Sequence, residues 1–158
     1  DAPEKLKRLH AFHLHSIEQP IRAGQWQAMA ELCAQTPFPI ALDEELIGVN
    51  TLARKVELLE TIRPQYIILK PSLMKGAQEW IELAAERGIS SWVTSALESN
   101  IGLNSIAQWC ATLHPAIPQG LGTGMLFTDN IDYPLHIEGD CLWFHPEEKE
   151  PDFKSFLI

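Results

Sequence analysis

Short apolar runs alternate with longer amphipathic segments along most of this chain. Five short runs predict strands, around residues 15–18, 39–43, 66–70, 91–95 and 119–122. The middle three are continuous runs of apolar or β-branched residues, which is typical of parallel strands that are covered on both faces. We therefore expect a parallel sheet.

Helical periodicity fills the intervals between the predicted strands. Apolar residues three and four positions apart predict helices near residues 26–33, 52–59, 77–85 and 103–113, with a further helix over 3–13. Pro64 is expected to stop the helix near 52–59, and Gly88 is expected to cap the one near 77–85. This alternation of strands and helices indicates βαβ units and an α/β fold.

Polar residues recur at equivalent places, each at the end of a predicted strand: Glu18, Asp43, Lys70 and Ser95. Their separations of 25, 27 and 25 residues are close to the ~30 residues that one βα unit of a (β/α)8 barrel occupies. The carboxyl ends of barrel strands converge on one mouth, where the chemistry lies. Because five strands cannot close such a barrel, either the sheet is open and doubly wound or strands are missing from the chain.

Two carboxylates and a lysine at one mouth favour metal-assisted chemistry. Carboxylate oxygens suit a hard cation such as Mg²⁺. A divalent ion beside a lysine stabilises an enolate-type anion while a base moves a proton. The alternative is that Glu18 and Asp43 only cap helices or pair with Lys70. The regular spacing and the apolar flanks of the set favour the functional interpretation.

The strings around these residues resemble the enolase superfamily, and in particular its o-succinylbenzoate synthase branch. They are SIEQP at 16–20, ALDE at 41–44, ILKPS at 68–72 and SALESNIGL at 95–103. The resemblance covers about residues 1–145, in the family's order and intervals. It implies that residues 1–124 are strands four to eight of a partial TIM-type (β/α)7β barrel. Residues 125–158 would then be a hairpin and tail that return to a capping domain missing from this chain.

The resemblance also implies a role for each matching residue. Glu18 would be the second ligand and Asp43 the third ligand of Mg²⁺, with Mn²⁺ as the alternative metal. Lys70 would be the catalytic lysine, which stabilises the enediolate opposite the proton-abstracting lysine. The loop after the seventh strand would bind the succinyl or carboxylate end of the substrate through Ser95, Ala96, Leu97, Glu98 and Ser99.

Two further acidic residues receive supporting roles from the resemblance. Glu44 is expected to surround the metal ligands rather than to bind the metal. Glu98 is expected either to orient Lys70 or to stand as an acid at a helix N-terminus, where a negative charge is favourable.

Other parts of the family's machinery are absent from the sequence. These are the first metal ligand, an Asp on the third strand, and the Lys-x-Lys motif on the second strand that supplies the base. Lys5 and Lys7 have that spacing but lie in a predicted helix, so we do not assign them to it. An active enzyme is therefore expected to need the N-terminal part of the family's fold.

The implied activity is that of a lyase in menaquinone biosynthesis. It would dehydrate 2-succinyl-6-hydroxy-2,4-cyclohexadiene-1-carboxylate to o-succinylbenzoate with Mg²⁺. One alternative is an N-succinylamino acid racemase or dipeptide epimerase, which uses the same metal site. The other is a binding fragment that is catalytically incomplete.

Composition excludes several other classes of function. A net charge of -9 and a pI of about 5.0 argue against nucleic-acid binding, which needs a basic surface. No run approaches the ~20 apolar residues of a membrane span, and the charged residues 1–5 lack a signal core. We expect a cytoplasmic protein with a small carboxylate substrate, and a homo-oligomer is left open.

The remaining conspicuous residues are assigned to packing. Cys33, Cys110 and Cys141 form no C-x-x-C pair and are expected to be small core hydrophobes. The glycine-rich residues 120–124 are expected to form the last strand and its turn rather than a phosphate loop. Three histidines precede the active end of the first strand and are expected at the surface or in packing: His10, His13 and His15.

Overall fold

The structure is a computed structural model that describes residues 2–132 and 134–148. The chain divides into two compact units on either side of the Val93–Thr94 peptide bond. The part of the predicted tail that follows residue 148 lies outside the described residues.

The first unit alternates strands and helices, as the sequence predicts. Its elements are α1 (Ala2–Leu9), a 3₁₀ helix (His10–Phe12), β1 (Ile17–Glu18), α2 (Trp26–Gln35), β2 (Ile40–Leu42), α3 (Leu52–Ile62), β3 (Tyr66–Leu69), α4 (Ala77–Glu86) and β4 (Ser90–Val93). The four strands are parallel and lie in the order β1-β2-β3-β4. The α/β fold with a parallel sheet is therefore confirmed.

The centre of this sheet is covered on both faces. Ile40, Ala41 and Leu42 of β2 are completely buried, although consecutive side chains of a strand point to opposite faces. Helices supply the covering side chains, among them Met29, Leu58, Leu59 and Trp80. This double burial explains why β2 and β3 read as continuous apolar runs in the sequence.

Gly88 terminates α4, as predicted. Its φ of +68° places it in the left-handed region, which glycine adopts without a steric penalty. The N–H groups of Gly88 and Ile89 donate to the carbonyls of Ala85 and Ala84 at 3.1 and 2.9 Å. This paired arrangement is a Schellman motif, which satisfies carbonyls at the end of the helix just before β4 starts.

The second unit contains one long helix and a hairpin. Its elements are α5 (Asn100–Leu113), a 3₁₀ helix (Gly122–Leu126), β5 (Leu135–Glu138) and β6 (Cys141–Phe144). β5 and β6 are antiparallel, with Glu138 opposite Cys141, so a two-residue turn joins them. The first turn residue, Gly139, has a φ of +65°, as tight hairpin turns require. The predicted hairpin is confirmed.

The predicted strand at 119–122 is shorter than expected. The structure reduces it to a single parallel bridge between Thr94 and Gly120, and a 3₁₀ helix starts at Gly122. Pro118 has no N–H to donate, and glycines weaken strands because they have no side chain to pack. The prediction of a strand followed by a turn was therefore wrong in its extent.

The cysteines differ in burial, and one prediction was wrong. Cys110 is buried and Cys33 is half-buried, whereas Cys141 is exposed. Burial raises the pKa of the Cys33 and Cys110 thiols to about 11, which makes them poor nucleophiles. Cys141 is exposed because it follows the hairpin turn, where its side chain has no covering layer.

Histidine packing agrees with the sequence interpretation. The ring of His10 lies edge-on to Phe38 with a centroid distance of 5.8 Å. His15 contacts Tyr66 and Trp92 at 5.0 and 6.3 Å. Both rings therefore take part in aromatic packing.

The longest described helix is α5, with 14 residues. Among residues 2–132 and 134–148, no helix has the length and apolar character that a membrane crossing requires.

Candidate active site

The carboxyl ends of β1, β2 and β3 position three of the predicted site residues. Glu18 is the last residue of β1, while Asp43 and Lys70 directly follow β2 and β3. The parallel register pairs Glu18 with Ala41 and Leu42 with Ile67, so the three strand ends are neighbours. The structure thus brings Glu18, Asp43 and Lys70 to the same edge of the sheet.

Asp43 is the buried centre of this cluster. Its side chain is 1% exposed and its Oδ2 accepts a hydrogen bond and ion pair from Lys70 Nζ. Its Oδ1 is buried and has no hydrogen-bond partner among the described residues. A buried carboxylate oxygen in this state is costly, and a cation that bound to it would remove that cost.

The pairing of Asp43 with Lys70 was one of the alternatives left open by the sequence, and the structure contains it. Helix capping was another, and the structure contradicts it for Asp43. Asp43 precedes the 3₁₀ helix Glu44–Leu46 but makes no side-chain cap hydrogen bond.

Glu18 is electrostatically coupled to Asp43. Partial burial raises the pKa of Glu18 from its ordinary value of 4.5 to about 7, and Asp43 adds to the rise, because its carboxylate would accept a hydrogen bond from protonated Glu18 and its negative charge repels the ionised form. The positive charge of Lys70 opposes the rise, and the negative charge of Glu44 reinforces it through repulsion. A carboxyl with a raised pKa beside a second carboxylate is typical of functional sites.

The two carboxylates fit a hard divalent cation. Such an ion would relieve the repulsion between Glu18 and Asp43 and would meet the partnerless Oδ1 of Asp43. Oxygen donors are those that Mg²⁺ prefers, and it takes six in near-octahedral geometry. The described residues contain no group of three or more His, Cys, Asp or Glu side chains that could hold a metal. Glu18 and Asp43 would therefore form part of a coordination shell.

Sequence reasoning missed two residues that connect the ends of β1 and β2. Gln19 Oε1 accepts from the N–H groups of Asp43 and Glu45 at 3.1 and 3.4 Å. Gln19 Nε2 donates to Glu45 Oε2 at 3.1 Å. Glu45 is 4% exposed, whereas its neighbour Glu44, which we expected to support the ligands, is exposed. The only available signal was the adjacency of Gln19 and Glu45 to the strand-end acids.

The predicted substrate loop lies in the second unit, at the start of α5. Ser95 is 3% exposed, and its hydroxyl is hydrogen-bonded to Thr123 Oγ1 and to the Gly120 carbonyl. Leu97 is 73% exposed and Ser99 is exposed at the N-cap of α5. The Ser95 hydroxyl is thus engaged within the unit, while Leu97 and Ser99 face solvent.

Ala96 and Glu98 of the same loop are half-buried. A Cβ on Gly102 would lie 2.9 Å from the Cβ of Glu98, so the Glu98 side chain packs along the first turn of α5. This placement is compatible with an acid at a helix N-terminus.

Comparison with known proteins places the chain in a family. The Enolase C-terminal domain-like family model matches residues 1–146. An o-succinylbenzoate synthase from Desulfotalea psychrophila is 61% identical over 145 residues, which cover 90% of this chain and 39% of that protein. An N-succinylamino acid racemase from Amycolatopsis sp. is 31% identical over 105 residues, covering 65% of this chain and 27% of the racemase.

A solved structure supports the same relationship. The crystal structure of MenC from Desulfotalea psychrophila LSv54 superposes with a TM-score of 0.85 at 60% identity, over 89% of this chain and 40% of that one. The chain therefore spans about two fifths of the length of these Desulfotalea relatives. With a family model matching nearly all of its described residues, the chain belongs to the Enolase C-terminal domain-like family.

Proposed function

We propose that this chain is the carboxyl-terminal part of an Mg²⁺-dependent o-succinylbenzoate synthase. The observation that carries the proposal is the cluster of Glu18, Asp43 and Lys70 at neighbouring strand ends. The cluster occurs in a chain that is 61% identical to an o-succinylbenzoate synthase over 145 residues.

The strand order supports a partial barrel. β1 to β4 follow one another in the sheet in chain order, whereas a doubly wound sheet reverses its order at a switch point. Sequential parallel strands are the arrangement of a (β/α) barrel. The other strands, the capping domain, the first metal ligand and the base would belong to the part of the enzyme outside this chain, which spans 39% of its Desulfotalea relative.

The reaction would be an elimination of water. The base outside this chain would remove the proton α to the carboxylate of 2-succinyl-6-hydroxy-2,4-cyclohexadiene-1-carboxylate. The 6-hydroxyl group would then take up a proton from an acid and leave as water, and the ring of o-succinylbenzoate would become aromatic. The barrier arises chiefly from the negative charge that accumulates on the carboxylate after proton removal.

The residues of this chain would stabilise that charge. Glu18 and Asp43 would hold Mg²⁺, which when bound supplies electrostatic stabilisation of the carboxylate oxygens. The Lys70 ammonium would provide a second positive charge, since Asp43 holds it at the mouth and its side chain is only 19% exposed. Electrostatic stabilisers act strongly in such sites because little water screens them.

The loop 95–99 would receive the carboxylate of the succinyl group. The dipole at the N-terminus of α5 is favourable for an anion, and the exposed Ser99 stands at the N-cap of this helix. Because Ser95 is committed to Thr123 and Gly120, its role would be to hold the loop.

The racemase is the second candidate function. It is supported by 31% identity over 105 residues to the Amycolatopsis N-succinylamino acid racemase. A racemase would use the same two carboxylates and Lys70, and its substrates also carry a succinyl carboxylate. The loop and the metal ligands therefore do not separate the two activities.

One preparation of the full-length enzyme would test both activities. We expect o-succinylbenzoate formation with a kcat/KM of at least ~10⁴ M⁻¹s⁻¹, dependent on Mg²⁺ and abolished by a chelator. Deuterium exchange at the α-carbon of N-succinylamino acids should be far slower. Fast exchange without dehydration would replace the synthase with the racemase, and neither activity would support a binding fragment.

A further inference from the structure

Gln19 has a backbone conformation that non-glycine residues rarely adopt. Its φ is +36°, in the left-handed region, and it directly follows the carboxylate of Glu18. Conformations of this kind persist only when surrounding contacts hold them, and they cluster at functional sites. The contacts that hold Gln19 are therefore informative.

The side-chain amide of Gln19 makes contacts on both of its ends. Oε1 accepts two backbone N–H groups, those of Asp43 at 3.1 Å and Glu45 at 3.4 Å. Nε2 donates to Glu45 Oε2 at 3.1 Å and to the Ile21 carbonyl at 3.0 Å. One side chain thus joins the segment after β1 to the segment after β2.

Glu45, on the segment after β2, forms hydrogen bonds with the segment after β1. It is 4% exposed, and its Oε1 accepts the Gly24 N–H at 2.7 Å. Burial of a carboxylate costs free energy unless hydrogen-bond donors compensate its charge. Here the donors are Gly24 and Gln19, both on the segment that follows β1. Glu45 therefore links that segment to the segment that follows β2.

We infer that Gln19 and Glu45 are positioning residues that fix the spacing of the Glu18 and Asp43 carboxylates, and thereby set the affinity of the site for a divalent cation. The inference rests on the proposed function, which makes those carboxylates metal ligands. The two acids repel one another when both are ionised. The Gln19–Glu45 pair holds the segments that carry them together in spite of that repulsion, so an incoming cation meets a pre-assembled pair of ligands.

The test is Mg²⁺ binding by calorimetry on the full-length protein, without turnover. In Gln19→Leu, the links to Asp43, Glu45 and Ile21 are lost, and we expect Mg²⁺ to bind ~10- to 100-fold more weakly, the usual effect of removing the groups that orient metal ligands. Gln65→Leu is the matched control. Gln65 Oε1 accepts the Ile40 N–H at 2.8 Å, at the opposite end of β2, so its loss should leave Mg²⁺ affinity within twofold.

A charge-preserving exchange separates positioning from general destabilisation. Gln19→Glu alone would set two carboxylates against each other, and we expect weak Mg²⁺ binding. The double variant Gln19→Glu with Glu45→Gln restores one donor and one acceptor between the two side chains. It should recover most of the affinity lost in Gln19→Glu. If Gln19→Leu does not fold, this pair of variants carries the test.

The outcomes distinguish the inference from the function on which it rests. Wild-type protein that binds Mg²⁺, together with Gln19→Leu that binds it within twofold of wild type, overturns the positioning role alone. Wild-type protein that binds no Mg²⁺ overturns the metal site of the proposed function. Equal losses in Gln19→Leu and Gln65→Leu would also overturn the inference, because they would show a general effect on β2.

Discussion

The parallel sheet has an amino edge, where its strands begin, and a carboxyl edge, where they end. A glutamine side chain forms hydrogen bonds with β2 at each of these two edges. At the amino edge, Gln65 pairs with β2 through both its backbone and its side chain: its N–H donates to the Ile40 carbonyl at 3.2 Å, and its Oε1 accepts the Ile40 N–H at 2.8 Å. At the carboxyl edge, Gln19 accepts the N–H of Asp43 at 3.1 Å. Both glutamines therefore anchor an end of β2.

The edges differ in the solvent exposure of the carboxylates that lie there. At the amino edge, Arg87 pairs with Glu60 at 3.0 Å, and the Glu60 side chain is 60% exposed. At the carboxyl edge, the paired carboxylate of Asp43 is 1% exposed, and Glu18 next to it has a pKa raised to about 7. The Glu60 carboxylate of the amino edge thus lies largely in water, while the Asp43 carboxylate of the carboxyl edge lies out of water.

This difference in exposure distinguishes an ion pair that affects stability only slightly from a buried carboxylate that could serve a function. An ion pair in water contributes little and can be lost without consequence. A buried carboxylate with a partnerless oxygen is unfavourable by itself, and the ligand that we propose for the carboxyl edge would account for its retention. In (β/α) barrels the chemistry also lies at the carboxyl ends of the strands.

The largest expected effect is on catalysis at the carboxyl edge. Lys70→Ala in the full-length enzyme should lower kcat at least ~10²-fold, the cost of losing one electrostatic stabiliser. Steady-state kinetics at saturating Mg²⁺ would measure it. Arg87→Ala removes a cation from the amino edge and should leave kcat near wild type. Normal turnover in Lys70→Ala would contradict the role of Lys70.

The second effect concerns stability at the amino edge. Gln65→Leu leaves the N–H of Ile40, a fully buried residue, without its side-chain acceptor. A buried donor left unsatisfied costs roughly 1–3 kcal/mol of free energy of unfolding, which denaturant titration would measure. Activity per folded molecule should not change. If activity fell by more than the amount of folded protein, the amino edge would also affect function, and the two edges would not differ in this respect.

Much of the carboxyl edge could be predicted from the sequence because β2 and β3 are buried on both faces. Double burial produces continuous apolar runs, and the next residue after each run is necessarily a strand-end residue. Asp43 and Lys70 therefore followed from the ends of their runs. The family resemblance then implied a role for each residue, which the spacing of residues along the sequence could not.

The remainder could not be predicted because periodicity stops where a strand ends. Glu44 and Glu45 are adjacent and chemically identical, yet the structure exposes one and buries the other as the chain enters a 3₁₀ helix. The left-handed φ of Gln19 depends on contacts with residues 24 to 26 positions away. Such long-range hydrogen bonds leave no local pattern.

A smaller effect is the pH dependence that Glu18 contributes. Its pKa is about 7 in the folded protein against an ordinary value of 4.5, so the folded state binds the proton more tightly. Its contribution to stability is therefore complete below about pH 4.5 and is lost as the pH rises to about 7. Because the Glu18 side chain is largely exposed, solvent screening limits the size of the loss.

Denaturant titrations between pH 4 and 8 in the presence of a chelator would measure this contribution. Glu18→Gln should show a shallower fall in unfolding free energy over this range than wild type. Added Mg²⁺ should raise the stability of wild type most at pH 8, where Glu18 is ionised, since a ligand that binds only the folded state stabilises it. Parallel pH profiles for wild type and Glu18→Gln would contradict the raised pKa of Glu18.

The smallest expected effect belongs to the exposed ion pair of the amino edge. Glu60→Gln removes the partner of Arg87 Nη2 but keeps the side-chain volume. Because the Glu60 side chain is 60% exposed, water replaces the lost interaction, and the free energy of unfolding should change by less than about 1 kcal/mol. The change should shrink further at high salt, which screens exposed charges. A larger, salt-independent loss would show that the amino edge also keeps charge out of water, and the contrast between the two edges would then fail.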